Sequence, residues 1–408
     1  MDDRFADAPP RRVVVTGLGA VSGYGWGVEA LWRGLRSGET RLGPFDVFDH
    51  SRHRTHLAAQ VPPPPVAAAN GSRESVADRF ALAAALEAVA QAGLAPPFDA
   101  LDAGLWFGSS TGGMLETERF FARFLAERRA AAIGVLTSQE VNGPGDAVAR
   151  RLGVTGPVQT ISSACASAAL AIAAAFDAVR AGEVELALAG GSDSLCQLTY
   201  AGFNSLRAVD EGPCRPFRAG REGMSLGEGA AVLVLESLAA ALGRGAVPLA
   251  EVRGAGASCD AHHMTAPEPE GSGAAAALAA ALADAGLPPE RIDFVNAHGT
   301  GTPHNDVAEY RALRRVFGER AARLPLAATK GLLGHLLGTA GAIEAVATVL
   351  CLARGEVHPV PLDGALDPEL PVDLVTGEPR RLAAEAAVST NLAFGGSNAA
   401  LVFASWTG

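Results

Sequence analysis

The chain has 408 residues, enough for two packed domains or for one fold built twice. Apolar residues make up 49% and charged residues 19%, a balance that is typical of an α/β protein and excludes a disordered chain. The net charge is −11 and Lys and Arg form no block, which excludes the basic surface of a nucleic-acid-binding protein and a cationic patch for anionic membranes.

The N-terminal sequence and the cysteines indicate the cellular location and the kinds of cross-link or metal site to expect. The acidic start MDDRFADAPPRR has no apolar segment of the signal-peptide kind, and the longest apolar run, 164–176, is shorter than a bilayer requires. Five cysteines occur without a CxxC pair, which disfavours a disulfide framework and a structural zinc site. We therefore expect a soluble cytoplasmic protein without a metal, whose partners are small molecules or proteins.

The first half of the chain alternates strand and helix patterns. The β-branched run VVVTGLGAVS, at 13–22, predicts a buried strand that enters a glycine turn. The proline run VPPPPV, at 61–66, predicts a surface loop. The other predicted elements of this half are helices over 29–36 and 78–92, a strand over 103–108, helices over 114–129 and 164–180, and strands over 184–191 and 230–237.

The second half repeats this order of elements. VRGAGAS corresponds to VVVTGLGAVS, and FVNAHGT takes the place of LWFGSST. The repeated segments are, in order, 252–258, 273–285, 294–300, 330–347 and 386–403. Because the order of elements matches without residue-level identity, we predict one sheet-and-helix unit used twice, with an N-terminal half at 1–250 and a C-terminal half at 251–408.

Cys165 lies in TISSACASAAL, where a strand-like run changes to an alanine-rich helix pattern. The thiolate form of cysteine is a nucleophile, and the free amides at a helix N-terminus lower a thiol pKa. Small neighbouring residues leave room for a substrate and let backbone N–H groups face a developing oxyanion. Considered alone, however, such a cysteine is more often a buried structural residue than a nucleophile.

Two histidines occupy similar positions in the second half. His298 follows the apolar strand IDFV, and His335 lies where TKGLLGHLLGTAG enters a small-residue helix pattern. A single histidine of this kind is more often a core or surface residue, but two at equivalent points of a repeated unit favour a site shared with Cys165. Lys330 precedes His335, where its charge either tunes a nearby imidazole or simply marks a strand end.

Two further features each have two interpretations. Asp306 and Glu309 have the spacing of a capping box, with Asp306 as the N-cap of the following helix and Glu309 reaching back. They also suit a role in holding the His298 loop, which does not exclude capping. NLAFGGSN, at 391–398, matches no phosphate-binding loop, so it forms either a tight hairpin or a flexible wall that supplies a backbone amide donor.

Together, SSACASA, NAHGTGTPHND, TKGLLGHLLGTAGAIEA and NLAFGGSN resemble the β-ketoacyl-ACP synthases of the elongating, Cys-His-His type, and the resemblance extends over nearly the whole chain. It implies the α/β thiolase fold, a duplicated five-layered αβαβα core with mixed sheets, in a dimer whose central strands pair. It also implies that Cys165 takes an acyl chain from an acyl carrier protein. His298 and His335 would then bind the thioester carbonyl of malonyl-ACP, and the enolate formed by loss of CO2 would attack the acyl-Cys165 thioester. No metal or organic cofactor is implied.

The resemblance assigns further roles by position. The amides of Cys165 and Phe394 would form the oxyanion hole, and Phe394 with Gly395 and Gly396 would form a gate beside the nucleophile. The other implied roles are substrate or pantetheine contacts for Thr300, Thr302, Phe203, Thr111 and Thr265, a supporting polar network for Lys330, Asp306 and Glu309, and carrier-protein docking for Arg207.

Three departures from the fatty-acid enzymes stand out. Ala393 replaces a glycine that is common in the gate, so its Cβ should limit backbone freedom. Thr111 stands where an aliphatic residue often lines the acyl tunnel, which suggests a more polar or unsaturated chain. Segment 70–80 offers only Arg73 and Arg79 as docking cations, so docking should be weaker or shared with another subunit.

Three functions therefore stay open. The first is a homodimeric ketosynthase of fatty-acid synthesis, and the second is a polyketide or polyene ketosynthase in a homodimer or in a heterodimer with a non-catalytic chain-length factor, which the departures favour. The third is a binding subunit without chemistry. A thiolase-like acyltransferase is disfavoured because thiolases use a second cysteine near the C-terminus, whereas the last cysteine here is Cys351. His335 disfavours the initiating synthases, which have Asn there.

Overall fold

The structure is a computed structural model that describes residues 10–65, 73–98, 101–128 and 133–408. Four predicted segments lie partly outside these ranges. They are the N-terminal tail, the proline loop 61–66, the docking segment 70–80 and the helix 114–129. The strands are β1 (Val13–Ser22), β2 (Gly25–Trp26), β3 (Gly43–Pro44), β4 (Leu57–Ala59), β5 (Ala103–Gly108), β6 (Val158–Ile161), β7 (Leu186–Asp193), β8 (Leu226–Gly227), β9 (Gly229–Ser237), β10 (Ala250–Cys259), β11 (Phe294–Asn296), β12 (Pro325–Ala327), β13 (Glu356–Val357), β14 (Asp373–Leu374), β15 (Arg380–Arg381), β16 (Ala386–Leu392) and β17 (Ser397–Ser405). The α-helices are α1 (Val28–Ser37), α2 (Val76–Gln91), α3 (Met114–Glu127), α4 (Gly143–Leu152), α5 (Ser167–Ala181), α6 (Gln197–Ser205), α7 (Leu238–Gly243), α8 (Ser272–Ala285), α9 (Pro303–Phe317), α10 (Lys330–Leu333) and α11 (Ala340–Arg354).

Two units with the same strand order make up the large sheet. The first unit runs β1-β9-β7-β5-β6, and the second runs β10-β17-β16-β11-β12 with β14 beyond it. In both units the first strand pairs antiparallel with the last, while the outer strands pair parallel to one another. Among the described strands, the two units pair where the first residues of β1 meet those of β10. The predicted repeat of one mixed-sheet unit is therefore confirmed by topology.

The helices lie in three layers around these sheets. Helices α5 and α11 share one buried cluster with side chains from both sheet units, such as Leu233 and Leu401, so they form the middle layer. Helices α2 and α4 cover the outer face of the first unit, and α8 and α9 cover the outer face of the second. The result is the predicted five-layered αβαβα core, in which each sheet buries both faces.

The repeat also has a residue-level signature in the G-x-G pairs of VTGLG and VRGAG. A Cβ at Gly19 would lie 1.8 Å from the carbonyl oxygen of Ala84 in α2. A Cβ at the equivalent Gly256 would lie 2.1 Å from the carbonyl oxygen of Ala277 in α8. Both helices therefore pack directly on the backbone of the first strand of their unit, and only glycine permits this distance.

The predicted division into domains at residue 250 coincides with the start of β10 at Ala250. The β1–β10 pairing and the shared middle helix layer connect the halves on either side of this point. Whether each half is an independent domain stays a prediction.

Two apolar stretches, Ala164–Ala181 and Leu337–Arg354, are long enough to cross a membrane when judged by length and composition alone. They contain the two middle-layer helices, and 61% and 89% of their residues are buried inside the protein. Contact with a sheet on each side explains their apolar character, because a helix that is apolar all round is typical of a core position.

We expect Gly19→Ala and Gly256→Ala each to lower the free energy of unfolding by about 1–3 kcal/mol or more, since the new Cβ overlaps helix backbone that cannot rotate away. Thermal unfolding followed by circular dichroism measures the effect. Gly243→Ala is the control, because no atom lies within 4 Å of a Cβ built there. Equal melting temperatures for all three variants would contradict the proposed close packing.

Candidate active site

Cys165 lies in a tight turn between β6 and α5. The preceding residue, Ala164, has a φ of 46°, in the left-handed region that residues with a Cβ rarely adopt. The hydroxyl of Ser167 stabilises this turn, since it donates to the Ala164 carbonyl at 2.6 Å and accepts from the Ser163 N–H at 2.8 Å. Because α5 begins at Ser167, the thiol lies at the predicted helix N-terminus.

The sequence predicts that the helix N-terminus lowers the pKa of the Cys165 thiol, and this prediction is wrong. Burial raises the pKa of Cys165 to about 11, although the amides of Phe394 and Cys165 and the charge of Lys330 act in the opposite direction. Desolvation therefore outweighs the helix N-terminus, and the buried thiol is protonated at neutral pH. The two amides beside the sulfur are those that the resemblance assigns to the oxyanion hole.

His298 follows β11, and the carboxylate of Glu309 fixes its backbone. Glu309 accepts the N–H of His298 at 2.7 Å, the N–H of Gly299 at 2.8 Å and the hydroxyl of Thr390 at 2.8 Å. Burial raises the pKa of Glu309 to about 7. The side chain thus holds the His298 loop, as the second of its two interpretations predicts.

Thr302, and not Asp306, caps α9. The Thr302 hydroxyl accepts the N–H of Asn305 at 3.3 Å, and α9 begins directly after it at Pro303. Asp306 lies inside the helix and accepts the N–H of Phe217 at 2.7 Å. The capping-box interpretation is therefore wrong, because the proline that starts the helix moves the cap four residues upstream.

Lys330 is buried beneath the two histidines. Its ammonium donates to the His298 carbonyl oxygen at 2.7 Å, lies 3.1 Å from His298 Nδ1 and forms an ion pair with Glu344. An ammonium group has donors and no acceptor, so His298 Nδ1 accepts and the imidazole proton is on Nε2.

His335 lies in a turn after α10 that is bound to the backbone of β8. Its N–H donates to the Ser225 carbonyl at 2.7 Å, and its carbonyl accepts the N–H of Gly227 at 3.0 Å. Its Nδ1 accepts the N–H of Leu337 at 3.0 Å, which places the imidazole proton on Nε2 here as well. His335 Nε2 is buried and has no hydrogen-bond partner among the residues that the structure describes.

The predicted nucleophile and both histidines meet in one place. One ligand atom of each, the sulfur of Cys165 and a ring nitrogen of His298 and of His335, lie within 4.8 Å of one another. Burial and the charge of Lys330 lower the pKa of both imidazoles well below the usual range, so both are neutral. The site therefore presents two neutral N–H donors beside a thiol.

These three residues line a cavity of about 370 Å³. The other predicted site residues that line it are Thr265, Thr300, Thr302, Phe394 and Arg207. Arg207 is exposed. This arrangement suits a long substrate arm that passes from the exposed Arg207 to the thiol.

Phe203 and Thr111 lie outside the cavity wall. The ring of Phe203 packs against that of Phe394, with centroids 5.7 Å apart. The hydroxyl of Thr111 donates to Asp193 at 2.8 Å. Since that hydroxyl is already engaged, it gives no support to the expectation of a more polar acyl chain.

The gate adopts a conformation in which its glycines are required. Gly395 and Gly396 have φ values of 85° and 81°. Ala393 has a φ of −111°, which is extended backbone that any residue adopts. The Cβ of Ala393 therefore causes no strain in this conformation.

Sequence reasoning missed Glu344 and Asn391. Glu344 is the ion-pair partner of Lys330, and its second carboxylate oxygen accepts the Asn391 amide at 2.6 Å. The signal for Glu344 was present, because it is the one acidic residue in the apolar run AGAIEAVATVL. A charge in such a run predicts a buried, paired group.

Comparisons with known proteins agree with this geometry. The chain matches the family models of the β-ketoacyl synthase N-terminal domain over residues 10–241 and the β-ketoacyl synthase C-terminal domain over residues 249–361. It is 38% identical over 401 residues to nodulation protein E of Rhizobium meliloti (strain 1021), covering 96% of this chain and 99% of that protein. It is 37% identical over 413 residues to 3-oxoacyl-[acyl-carrier-protein] synthase 2 of Synechocystis sp. (strain ATCC 27184 / PCC 6803 / Kazusa), covering 98% and 99%.

Among solved structures, the ishigamide ketosynthase/chain length factor superposes with a TM-score of 0.92 at 35% identity, covering 98% of this chain and 100% of that chain. The fold, the site and both family matches, which together cover most of the chain, lead to one conclusion. The protein belongs to the β-ketoacyl synthase family.

Proposed function

We propose that this protein joins an acyl group on Cys165 to the two-carbon unit of malonyl-ACP, with loss of CO2, to give a 3-ketoacyl-ACP. The observation that carries this proposal is the position of the Cys165 sulfur within 4.8 Å of nitrogens from two neutral imidazoles. A nucleophile beside two fixed N–H donors suits acyl transfer followed by enolate formation.

In the first half-reaction, the Cys165 sulfur attacks the thioester carbonyl of an acyl-ACP. The negative charge on the carbonyl oxygen is stabilised by the amides of Cys165 and Phe394, which already lie beside the sulfur. The bond between the carbonyl carbon and the pantetheine sulfur then breaks. The thiol proton leaves with the pantetheine sulfur, so the products are acyl-Cys165 and the free ACP thiol.

In the second half-reaction, His298 Nε2–H and His335 Nε2–H donate to the thioester oxygen of malonyl-ACP. Cleavage of the bond to the carboxylate releases CO2 and leaves the electron pair as an enolate on that oxygen. The enolate carbon attacks the acyl-Cys165 carbonyl, and the Cys165 sulfur departs as a thiolate that takes a proton from the solvent. Loss of CO2 makes the sequence favourable.

We propose that no metal or organic cofactor takes part. The three groups are close enough to bind a metal ion. However, Lys330 already donates to Nδ1 of His298, and the Leu337 N–H donates to Nδ1 of His335. Both Nε2 atoms therefore carry the imidazole proton and have no lone pair for a metal ion. This donor set fits a substrate oxygen better than a metal.

We further propose an acyl carrier protein as partner and a second subunit at the edge strand β6. The resemblance implies a contact between central strands, but the central strands β1 and β10 each already pair with a strand on both sides. One relative is named 3-oxoacyl-[acyl-carrier-protein] synthase 2, and the ishigamide structure is named as a ketosynthase/chain length factor. Strand β6 pairs only with β5 among the described strands. The second subunit is another copy or a chain-length-factor homologue, and we place the protein in the cytoplasm.

We expect Cys165→Ala to abolish condensation, because no other group near the site forms the acyl-enzyme. His298→Ala and His335→Ala should each slow CO2 release by about 10²–10³-fold while Cys165 still becomes acylated, since each removes one donor to the enolate. Mass spectrometry of the acyl-enzyme and release of labelled CO2 measure the two steps. Cys196→Ala is the matched control, because Cys196 is a buried thiol whose pKa is also raised to about 11. A Cys165→Ala variant that condenses like the parent would refute the proposal.

Alkylation of Cys165 by iodoacetamide should accelerate by about tenfold per pH unit from pH 7 to pH 9. The reason is that the reactive thiolate is a minor form at every pH below the raised pKa of about 11. Peptide mapping after timed quenching assigns the rate to Cys165, with the Cys165→Ala variant as the blank. A rate that levels off below pH 8 would show that the thiol pKa is not raised.

Val158→Pro should weaken assembly with the second subunit. The Pro157 carbonyl accepts the N–H of Leu105 in β5, so the next residue, Val158, directs its own N–H away from β5. Proline removes that outward donor, whereas the control Val158→Thr keeps it. Light scattering of each variant, alone and with a co-expressed chain-length-factor homologue, measures the assembly. An unchanged mass for Val158→Pro would exclude β6 as the contact strand.

A further inference from the structure

We propose that Asp193 is a positioning residue whose single carboxylate holds the Cys165 turn and the His335 turn at a fixed separation. The inference rests on the proposed function, because it concerns the two half-reactions of that site. Asp193 ends β7 and is completely buried. It lies outside the cavity wall, so it acts through other groups.

One oxygen of Asp193 organises the loop after β5. Its Oδ1 accepts the hydroxyl of Ser109 at 2.8 Å, and the N–H and the hydroxyl of Thr111 at 2.9 and 2.8 Å. The N–H of Ser110 lies 3.0 Å from Oδ1 and 3.1 Å from Oδ2. These donors fix the backbone of Ser110.

Ser110 transmits this constraint to the nucleophile. Its hydroxyl donates to the Ala164 carbonyl oxygen at 3.2 Å. Ala164 is the residue with a φ of 46° that directly precedes Cys165. A left-handed alanine needs such support, because this conformation is unfavourable for a residue with a Cβ.

The other oxygen reaches the His335 turn. Asp193 Oδ2 accepts the N–H of Gly338 at 2.7 Å, and the neighbouring N–H of Leu337 is the donor that fixes His335 Nδ1. A Cβ at Gly338 would lie 2.7 Å from both Asp193 Oδ2 and Ser110 Oγ. The carboxylate and the turn are therefore in direct contact.

Asp193, like Glu309, is a buried acid near the site that is held by backbone N–H and hydroxyl donors and not by a cation. Glu344 has Lys330 as its cation and Asp306 has Arg221, whereas Asp193 forms no ion pair with a described residue. Its stabilisation comes from backbone N–H and hydroxyl donors of two separate loops. A buried carboxylate without a cation is costly unless such donors are fixed in place, so Asp193 requires both loops to hold their donors in position.

The contacts of the two Asp193 oxygens should affect different half-reactions. Asp193→Asn replaces one acceptor oxygen by an NH2 group. The NH2 group should take the position of Oδ2, because the hydroxyl groups that donate to Oδ1 still need an acceptor there. The NH2 group then faces the Gly338 N–H, and two donors oppose each other. We expect CO2 release by pre-acylated enzyme to fall at least tenfold and acylation of Cys165 to change less than threefold. Ser110→Ala should slow acylation and leave CO2 release by pre-acylated enzyme nearly unchanged.

A readout independent of turnover completes the test. In ¹⁵N NMR of histidine-labelled protein, His335 should lose its pure Nε2–H tautomer in Asp193→Asn and keep it in Ser110→Ala. Gly338→Ala, whose Cβ would contact both Asp193 Oδ2 and Ser110 Oγ, should also change the His335 tautomer and provides that readout if Asp193→Asn does not fold. Glu236→Gln, which removes a buried carboxylate that pairs with Arg244 far along β9, is the control for general destabilisation.

Equal losses in both half-reactions, with an unchanged His335 tautomer and a melting temperature lowered as in Glu236→Gln, would reduce Asp193 to a structural role and overturn the inference. Unchanged half-reactions in Asp193→Asn would overturn it as well. A parent enzyme that neither acylates Cys165 nor releases CO2 would instead refute the proposed function, and the His335 tautomer would then still decide the role of Asp193.

Discussion

The buried ion pair between Lys330 and Glu344 is the interaction on which the rest of the site depends. The ammonium group sets the tautomer of His298 by donating to Nδ1, and its charge lowers the pKa of both imidazoles and opposes the raised pKa of Cys165. A cation in this dry position is tolerated because Glu344 and the His298 carbonyl satisfy it, while Asn391 satisfies the second oxygen of Glu344. Removal of one partner from such a pair typically costs about 3–5 kcal/mol.

The abundance of Ala and Gly serves this site directly. Cys165 precedes α5 and His335 lies just before α11, so the thiol and the imidazole meet only if these two middle-layer helices approach closely. A Cβ at Gly341 in α11 would lie 2.6 Å from the backbone nitrogen of Ala169 in α5. Small residues at this contact let the helix N-termini converge, as larger side chains would not. The composition that first indicated tight backbone packing is thus a requirement of the catalytic geometry.

The sequence predicts the elements and the chemically distinctive residues well, because strand periodicity, glycine turns and motif order are local. The repeat of VTGLG in VRGAG predicts equivalent strands, and the site brings together Cys165, His298 and His335. Properties that depend on burial were harder to predict. The pKa of Cys165 is raised because surrounding layers exclude water, and no local pattern reports this. Asp193 was missed because its donors come from segments 82 and 145 residues away.

The protonation pattern explains how one site serves two half-reactions. Both imidazoles have a pKa well below the usual range and the thiol has one of about 11, so none of the three groups changes its charge near neutral pH. In the proposed reaction, the oxyanion of the acyl transfer and the enolate of the decarboxylation would therefore meet preorganised N–H donors, two from the backbone and two from imidazoles. In that reaction the thiol proton of Cys165 leaves with the pantetheine sulfur, and the Cys165 thiolate is protonated again after the condensation. The site thus needs geometric precision more than acid-base adjustment, which is why its fixed hydrogen bonds lie behind the cavity wall as well as in it.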